Sequence, residues 1–398
     1  MYSHRIGGQA VKLRSLSLSK LAAIALVIAM IVPLLVVYIR YFESLDVAGT
    51  TLGLDWMDTL YLAVEGGQLS YTAEHTPRYP PWGLMWAVPL GLLSPQGSWG
   101  VLALIDVIVV FLSVPRLRGR FAVPDRRVRY AAALLLALLG FPLLRTVIDG
   151  NLEILATAGA LILVAGYRLQ NPVVLAVGAL IATAKPQVTL LLALVAGLYA
   201  IGHWPRREWL TAAGFAGIVI GVMLWFTGEA WLATLSTMQT RGSIMDSSLV
   251  SSAARTGVIP GWLVTGLRAA LVIASLWVCY LTRWTLSREK AGMLIAASLL
   301  IAPYAAGNSA LSVYAVGVIP FFIKRPIIGG VLIALTNLPY LALGNPDLQF
   351  NYSAYYWTVY FGVAWAGLGW HVYQTERFVP DDAAEPTQAP AAGVGASA

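Results

Sequence analysis

From Leu21 to Ile39 the chain carries no charged residue, and apolar runs nearly as long recur almost to its end. A helix that crosses a bilayer needs about 20 predominantly apolar residues. Composition points the same way: 11% of the 398 residues are charged, where a soluble chain carries roughly 25%. Such a sequence cannot clothe a water-facing surface. The expected class is an all-α polytopic protein, multi-pass in the cell membrane. One cysteine, Cys279, excludes a disulfide framework and a cysteine-ligated zinc site. His4, His75, His203 and His371 lie far apart and form no metal-ligand spacing. The net charge of +7 sets orientation rather than nucleic-acid binding, because basic residues collect in cytoplasmic loops.

Charge asymmetry then orders the chain. Residues 1–20 hold His4, Arg5, Lys12, Arg14 and Lys20 and no acid, so they read as a cytoplasmic basic N-terminus ahead of a first span. Residues 40–97 read as an outer loop. Its stretch from Arg40 to Pro81 holds six of the nineteen acids, Glu43, Asp46, Asp55, Asp58, Glu65 and Glu74. Six arginines from Arg116 to Arg129 belong inside. An odd number of crossings must separate the two, so Trp82–Leu93, short and broken by Pro89 and Gly91, is expected to lie in the outer interface as a juxtamembrane helix. Short basic loops at Arg168–Asn171, His203–Arg207, Arg283–Lys290 and Lys324–Pro326 fix the rest. About twelve spans result, with both termini cytoplasmic. Residues 21–375 form a single transmembrane domain. The Pro- and Ala-rich segment 376–398 reads as a disordered cytoplasmic tail.

The same alternation gathers another set of segments at the outer face: the acidic loop, Ile148–Asn151, Ala184–Gln187, the Ser-rich loop Thr227–Gly261, and Tyr304–Ser309. Polar groups near membrane depth are costly and read as functional by default. Asp58 and Tyr61 are three apart and share a helical face, with Asp55 just before them. A carboxylate there can accept a proton from a sugar hydroxyl. Lys185 interrupts an apolar run and calls for an anionic partner, a lipid-linked phosphate or an internal carboxylate such as Asp149 or Glu153; Arg145 poses the same choice. Arg241 and Arg255 lie in the long loop, which reads as a substrate lid or a solvated connector.

Asp58-Thr59-Leu60-Tyr61, Gly66-Gly67, Tyr71, Tyr79-Pro80-Pro81 and Pro89-Leu90 together resemble the first outer loop of glycosyltransferase family 87, in the GT-C superfamily. Arg145, Gly150-Asn151 (Asn where the family has Gln) and Lys185-Pro186 continue the resemblance, which covers Leu54 to Leu192. Near Asn308 to Tyr314 the family's histidine is missing. The resemblance implies a GT-C-like bundle and an inverting transfer of a sugar, often mannose, from a polyprenyl-phosphate donor to a lipid or glycan acceptor. It implies Asp58 as general base, Asp55 as a stabiliser of positive charge, and Lys185 and Arg145 as phosphate ligands. Tyr61, His75, Arg78, Tyr79, Asn151, Glu153, Arg241, Arg255 and Asn308 are the further candidate substrate contacts. No cofactor is implied beyond the lipid-linked sugar, and no carboxylate cluster demands or excludes a divalent metal. Membrane lipids are the other expected partners. The rival readings are a secondary transporter or flippase for a small solute or lipid-linked sugar, and a non-catalytic membrane scaffold.

Overall fold

The computed structural model describes residues 34–47, 52–71, 79–115, 124–237, 248–257, 259–342 and 353–377. The basic N-terminus, His75, Arg78, Arg241 and the tail from 378 lie outside these residues. Among the described residues the secondary structure is helical throughout. Residues 34–43 are helical. The α-helices that follow are α1 (Pro81–Leu84), α2 (Pro95–Ser113), α3 (Pro124–Leu139), α4 (Phe141–Asp149), α5 (Glu153–Arg168), α6 (Pro172–Ala182), α7 (Pro186–His203), α8 (Arg206–Thr237), α9 (Leu249–Thr256), α10 (Gly261–Leu281), α11 (Arg288–Ile301), α12 (Ala310–Val313), α13 (Ile319–Lys324), α14 (Pro326–Asn337) and α15 (Ser353–Glu376).

Among the described residues, six helical stretches are long and apolar enough to cross a bilayer: Pro95–Ser113, Arg127–Asp149, Pro186–His203, Arg206–Ala233, Gly261–Leu281 and Gly307–Lys324. They account for six of the twelve expected spans. Pro172–Ala182 and Pro326–Leu341 are apolar but shorter, and α11 has only 14 residues, nearly all inside the protein. Trp82–Leu93 makes no membrane-length helix; it breaks into α1 and a 3₁₀ turn, Val88–Leu92. The outward faces of α8 and α10 carry Ile218, Trp225, Phe226 and Ile273, all largely exposed, as lipid contact requires.

Close backbone approach holds the centre. A Cβ on Gly159 would lie 2.0 Å from the Ala182 nitrogen, and one on Gly178 would lie 2.3 Å from that of Leu163. Small residues on both α5 and α6 therefore let the two helices touch backbone to backbone, as membrane helices do. The span 127–149 breaks at Gly140, where ψ turns extended. A break in lipid must have its freed backbone groups satisfied. Here Asn337 Oδ1 accepts from Phe141 N at 2.7 Å, while Tyr314 and Tyr340 donate to the carbonyls of Leu136 and Leu139 at 2.6 and 2.7 Å. A second irregularity, the π-helical turn Tyr314–Val318, is tied down by Arg288. Its guanidinium donates to the carbonyls of Ala315, Val316 and Ser113.

The chain ends of these helices sort into two groups. Asp55, Tyr79, Asn151, Lys185 and Ser309 meet at one end. Arg168, His203, Thr285, Lys324 and Glu376 line one cavity at the other. These are the segments that alternating charge assigned to opposite faces.

Candidate functional site

Lys185 occupies the joint between two helices. Helix α6 ends at Ala182, and Pro186, which cannot continue it, opens α7. The loop that carries α1 seats on this joint. Trp82 Nε1 donates to Thr183 Oγ1 at 3.1 Å, and Gly83 packs so closely on Ala184 that a Cβ would come within 2.4 Å of its Cα. Tyr79, two residues before α1, thereby lies over the lysine, with its ring centroid 5.6 Å from Nζ. Tyr71 donates to the Tyr79 carbonyl at 2.8 Å and Tyr61 to that of Leu93 at 2.8 Å. Both therefore shape the loop.

Asp55 and Asn151 come from different directions. Asp55 precedes a π-helical turn, Trp56–Leu60, anchored where Trp56 Nε1 donates to Ser98 Oγ at 2.8 Å and Gly53 N to the Ile148 carbonyl at 2.6 Å. Helix α4 ends at Gly150, whose φ of +67° favours glycine. Asn151 then turns inward. Its Nδ2 donates to Asp55 Oδ2 at 2.6 Å, while its Oδ1 accepts from Glu153 N at 3.0 Å and from Lys185 Nζ. Only this amide orientation satisfies a carboxylate on one side and two donors on the other.

Glu153, fully buried at the start of α5, receives Lys185 Nζ at 3.0 Å on Oε2. Ser309 donates to the same oxygen at 3.1 Å, and Ser312 to Oε1. Thr157 and Ser312 hydroxyls lie 2.9 Å apart. The result is one chain of contacts, Asp55–Asn151–Lys185–Glu153–Ser309/Ser312. Nearby, Arg145 Nε pairs with Asp149 Oδ2 at 2.8 Å. Asn308, beside Ser309, is buried with Oδ1 lacking a hydrogen-bond partner among the described residues.

Burial pushes the Tyr79 phenol up to about 12; the Lys185 ammonium pulls against this, while Asp55 and Glu153 add to it. Burial opposes the charge on Lys185, but Tyr79, Glu153 and Asp55 outweigh it and hold the ammonium above the ordinary lysine value. A phenol titrating near 12 is neutral at pH 7, so the two carboxylates stabilise the ammonium there.

Asp58 is exposed and joins no hydrogen bond or ion pair among the described residues. The carboxylate of this turn that enters the buried network is Asp55. Arg255 lies in α9, and its side chain is outside the description. Sequence reasoning missed Ser309, Ser312 and Thr157. The first two are three residues apart, a helical-face signal hidden among ordinary small residues.

The sequence model of glycosyltransferase family 87 matches residues 78–303, more than half of the chain. The chain belongs to glycosyltransferase family 87. It is accordingly a membrane glycosyltransferase, acting on a sugar donor and an acceptor. No curated protein and no solved structure matches it. Tyr79, Arg145, Asn151, Glu153 and Lys185 fall inside the stretch matched to family 87, whereas Asp55 and Asp58 precede it and Asn308, Ser309 and Ser312 follow it.

Proposed function

We propose that the protein transfers a sugar, mannose-like, from a polyprenyl-phosphate donor to a lipid or glycan acceptor at the extracytoplasmic face, with inversion. The observation that carries this reading is the buried Lys185 ammonium, joined through Asn151 to Asp55 and capped by Tyr79 at one end of an apolar bundle. An ammonium has three donors. Glu153 and Asn151 take two, and the third is turned toward Tyr79, whose hydroxyl interacts with it and would be replaced there by an entering phosphate oxygen. Arg145, partly exposed, supplies a second cation. Charge-assisted contacts to phosphate gain strength in a poorly hydrated site.

In this reaction the acceptor oxygen attacks the anomeric carbon, and its proton passes to Asp58. The bond from that carbon to the phosphate oxygen breaks, and polyprenyl phosphate leaves with the electron pair. A general base must be accessible and uncommitted, which suits the exposed Asp58. Asp55, held by Asn151, supplies fixed negative charge near the developing oxocarbenium. The apolar groove for the polyprenyl tail is furnished by the spans.

The test uses purified protein and a panel of polyprenyl-phosphate sugars. Asp58→Asn should lower kcat by about 10²- to 10⁴-fold, the usual contribution of a general base. Asp55→Asn should cost less. Unchanged turnover in Asp58→Asn removes the proposed base, and a larger loss in Asp55→Asn moves that role to Asp55.

A further inference from the structure

A groove of about 420 Å³ opens between the C-terminal part of α3 and α14, a volume typical of ligand pockets. Leu135, Leu136 and Leu139 form one wall. Gly330, Ile333 and Ala334 form the other, and their spacing places them on one face of α14. Leu135 and Leu139 are 60% and 70% exposed, so the lip of the groove stands open on the outside of the bundle. Two polar residues complete the lining, Asn337 and Tyr340, and both are engaged within the protein. Asn337 Oδ1 accepts from Phe141 N, and its Nδ2 donates to the Ile333 carbonyl at 2.8 Å. Tyr340 donates to the Leu139 carbonyl at 2.7 Å. A polar ligand would give up its water here and gain little in return. A hydrocarbon chain gives up nothing.

The glycines of α14 show that this space is kept open. A Cβ on Gly329 would lie 2.4 Å from Phe322 Cα, so close packing calls for that glycine. Gly330 is different. A Cβ there would meet only the Phe322 ring, at 3.9 Å, an ordinary contact. Glycine weakens a helix interior relative to alanine, and at this position protein packing does not require it. What the missing side chain leaves is room in the groove.

One end of the groove runs on toward the Lys185 network. Tyr340 meets Phe141 edge-on at 5.2 Å, and Phe141 opens α4. Arg145 lies on the same face of α4 one turn further on. Its partner Asp149, at 2.8 Å, follows one turn beyond that, and Asp149 feels the charges of Asp55 and Lys185. At 1.5 Å per residue, Arg145 stands roughly 9 Å from Leu139 along the chain of helices. A lipid whose phosphate rests on Arg145 and Lys185 can therefore lay its chain down this face of α4 and into the groove.

We propose that this groove holds the isoprenoid chain of the polyprenyl-phosphate donor, which passes Phe141 and Tyr340 and then lies between α3 and α14. The proposal rests on the donor reading above and adds the place of the tail.

The test compares donors of the same sugar with the purified full chain: one carries a long polyprenyl chain, the other a single isoprene unit, too short to pass Phe141. Gly330→Leu fills the groove. It should lower kcat/KM for the long-chain donor by about tenfold, the usual size of an overpacking effect, and leave the short donor unchanged. Ala334→Phe, on the same wall, serves if Gly330→Leu does not fold. Variants that lower both donors alike, or neither, overturn the proposal. Wild type that uses neither donor counts against the donor reading, and the groove is then decided by a second arm that needs no turnover. Polyprenyl phosphate with a diazirine in its tail should label residues 135–139 or 330–337, in preference to a phospholipid with a diazirine in its acyl chain. Equal labelling by the two assigns the groove to bulk acyl chains and overturns the proposal.

Discussion

Replacing Lys185 by methionine keeps the length of the stem and removes the charge. In the native protein Lys185 and Glu153 form a pair whose side chains are 5% and 0% exposed. Removing one partner of such a pair costs about 3–5 kcal/mol, because the other charge is left buried. Glu153 keeps the hydroxyls of Ser309 and Ser312, so the lower end, about 3 kcal/mol, is expected. Asn151 Oδ1 keeps the Glu153 N–H at 3.0 Å, so the link to Asp55 survives. In the double variant Lys185→Met/Glu153→Gln the buried charge is gone, and about 2 kcal/mol or more should return as coupling between the two sites. Transfer should not return with it, since the proposed phosphate ligand is still missing. Reversible unfolding in mixed micelles reads the first effect and single-turnover transfer the second. A single-variant cost below about 1 kcal/mol, the worth of an exposed pair, would refute the burial argument. A double variant with full transfer would refute the role of Lys185 in chemistry.

Other perturbations probe the scaffold and the loop. Asn337→Leu leaves the Phe141 N–H unpaired at the Gly140 break, and should cost about 1–3 kcal/mol in the same unfolding assay. Arg288→Lys cannot reach the carbonyls of Ser113, Ala315 and Val316 together; a loss of about 1.5–3 kcal/mol is expected, and one within error would show that the π-helical turn needs no such tie. Burial pushes the Tyr79 phenol up to about 12, above the ordinary tyrosine value of 10.0. Its contribution to stability is therefore intact below pH 10 and lost as pH rises through about 12, so Tyr79→Phe should flatten the alkaline limb of a stability profile. An unchanged limb would mean that this phenol is not buried.

Much of the arrangement was legible because charge is scarce. In a chain this apolar each Arg, Lys, Asp or Glu has a strong reason for its place, so alternation of basic loops sorted Arg168, His203 and Lys324 from Asn151, Lys185 and Ser309. The number of spans was less legible. Helices such as α11 are sheathed by protein on all sides and need neither the length nor the hydropathy of a lipid-facing span. The choice between Asp55 and Asp58 could not be read from helical spacing, because the turn Trp56–Leu60 is π-helical and its faces repeat differently. Ser309 and Ser312 were missed since a serine near the membrane usually bonds its own helix; only tertiary structure shows them on Glu153.

The distribution of polar groups also weighs between catalysis and transport. Beyond Thr157, α5 runs Ala-Gly-Ala-Leu-Ile-Leu-Val-Ala-Gly before Tyr167 and Arg168. Beyond Thr189, whose hydroxyl is spent on the Ala182 carbonyl at 2.7 Å, α7 is apolar as far as Tyr199. A hydrophilic solute crossing beside these helices would give up its water and find no replacement partners, at a cost of several kcal/mol per group. Transporters solve this with broken helices and polar backbone at the bilayer midplane. In this bundle the breaks at Gly140 and Tyr314 are closed by tyrosine, asparagine and arginine side chains, so they offer a passing substrate nothing to bind. The one buried carboxyl within α2, Asp106, lacks any hydrogen-bond partner among the described residues, and a single orphan group is not a path. Among the described residues, polar networks gathered at the two ends, with Asp106 the isolated carboxyl between them in α2, favour transfer at one end over passage through the middle.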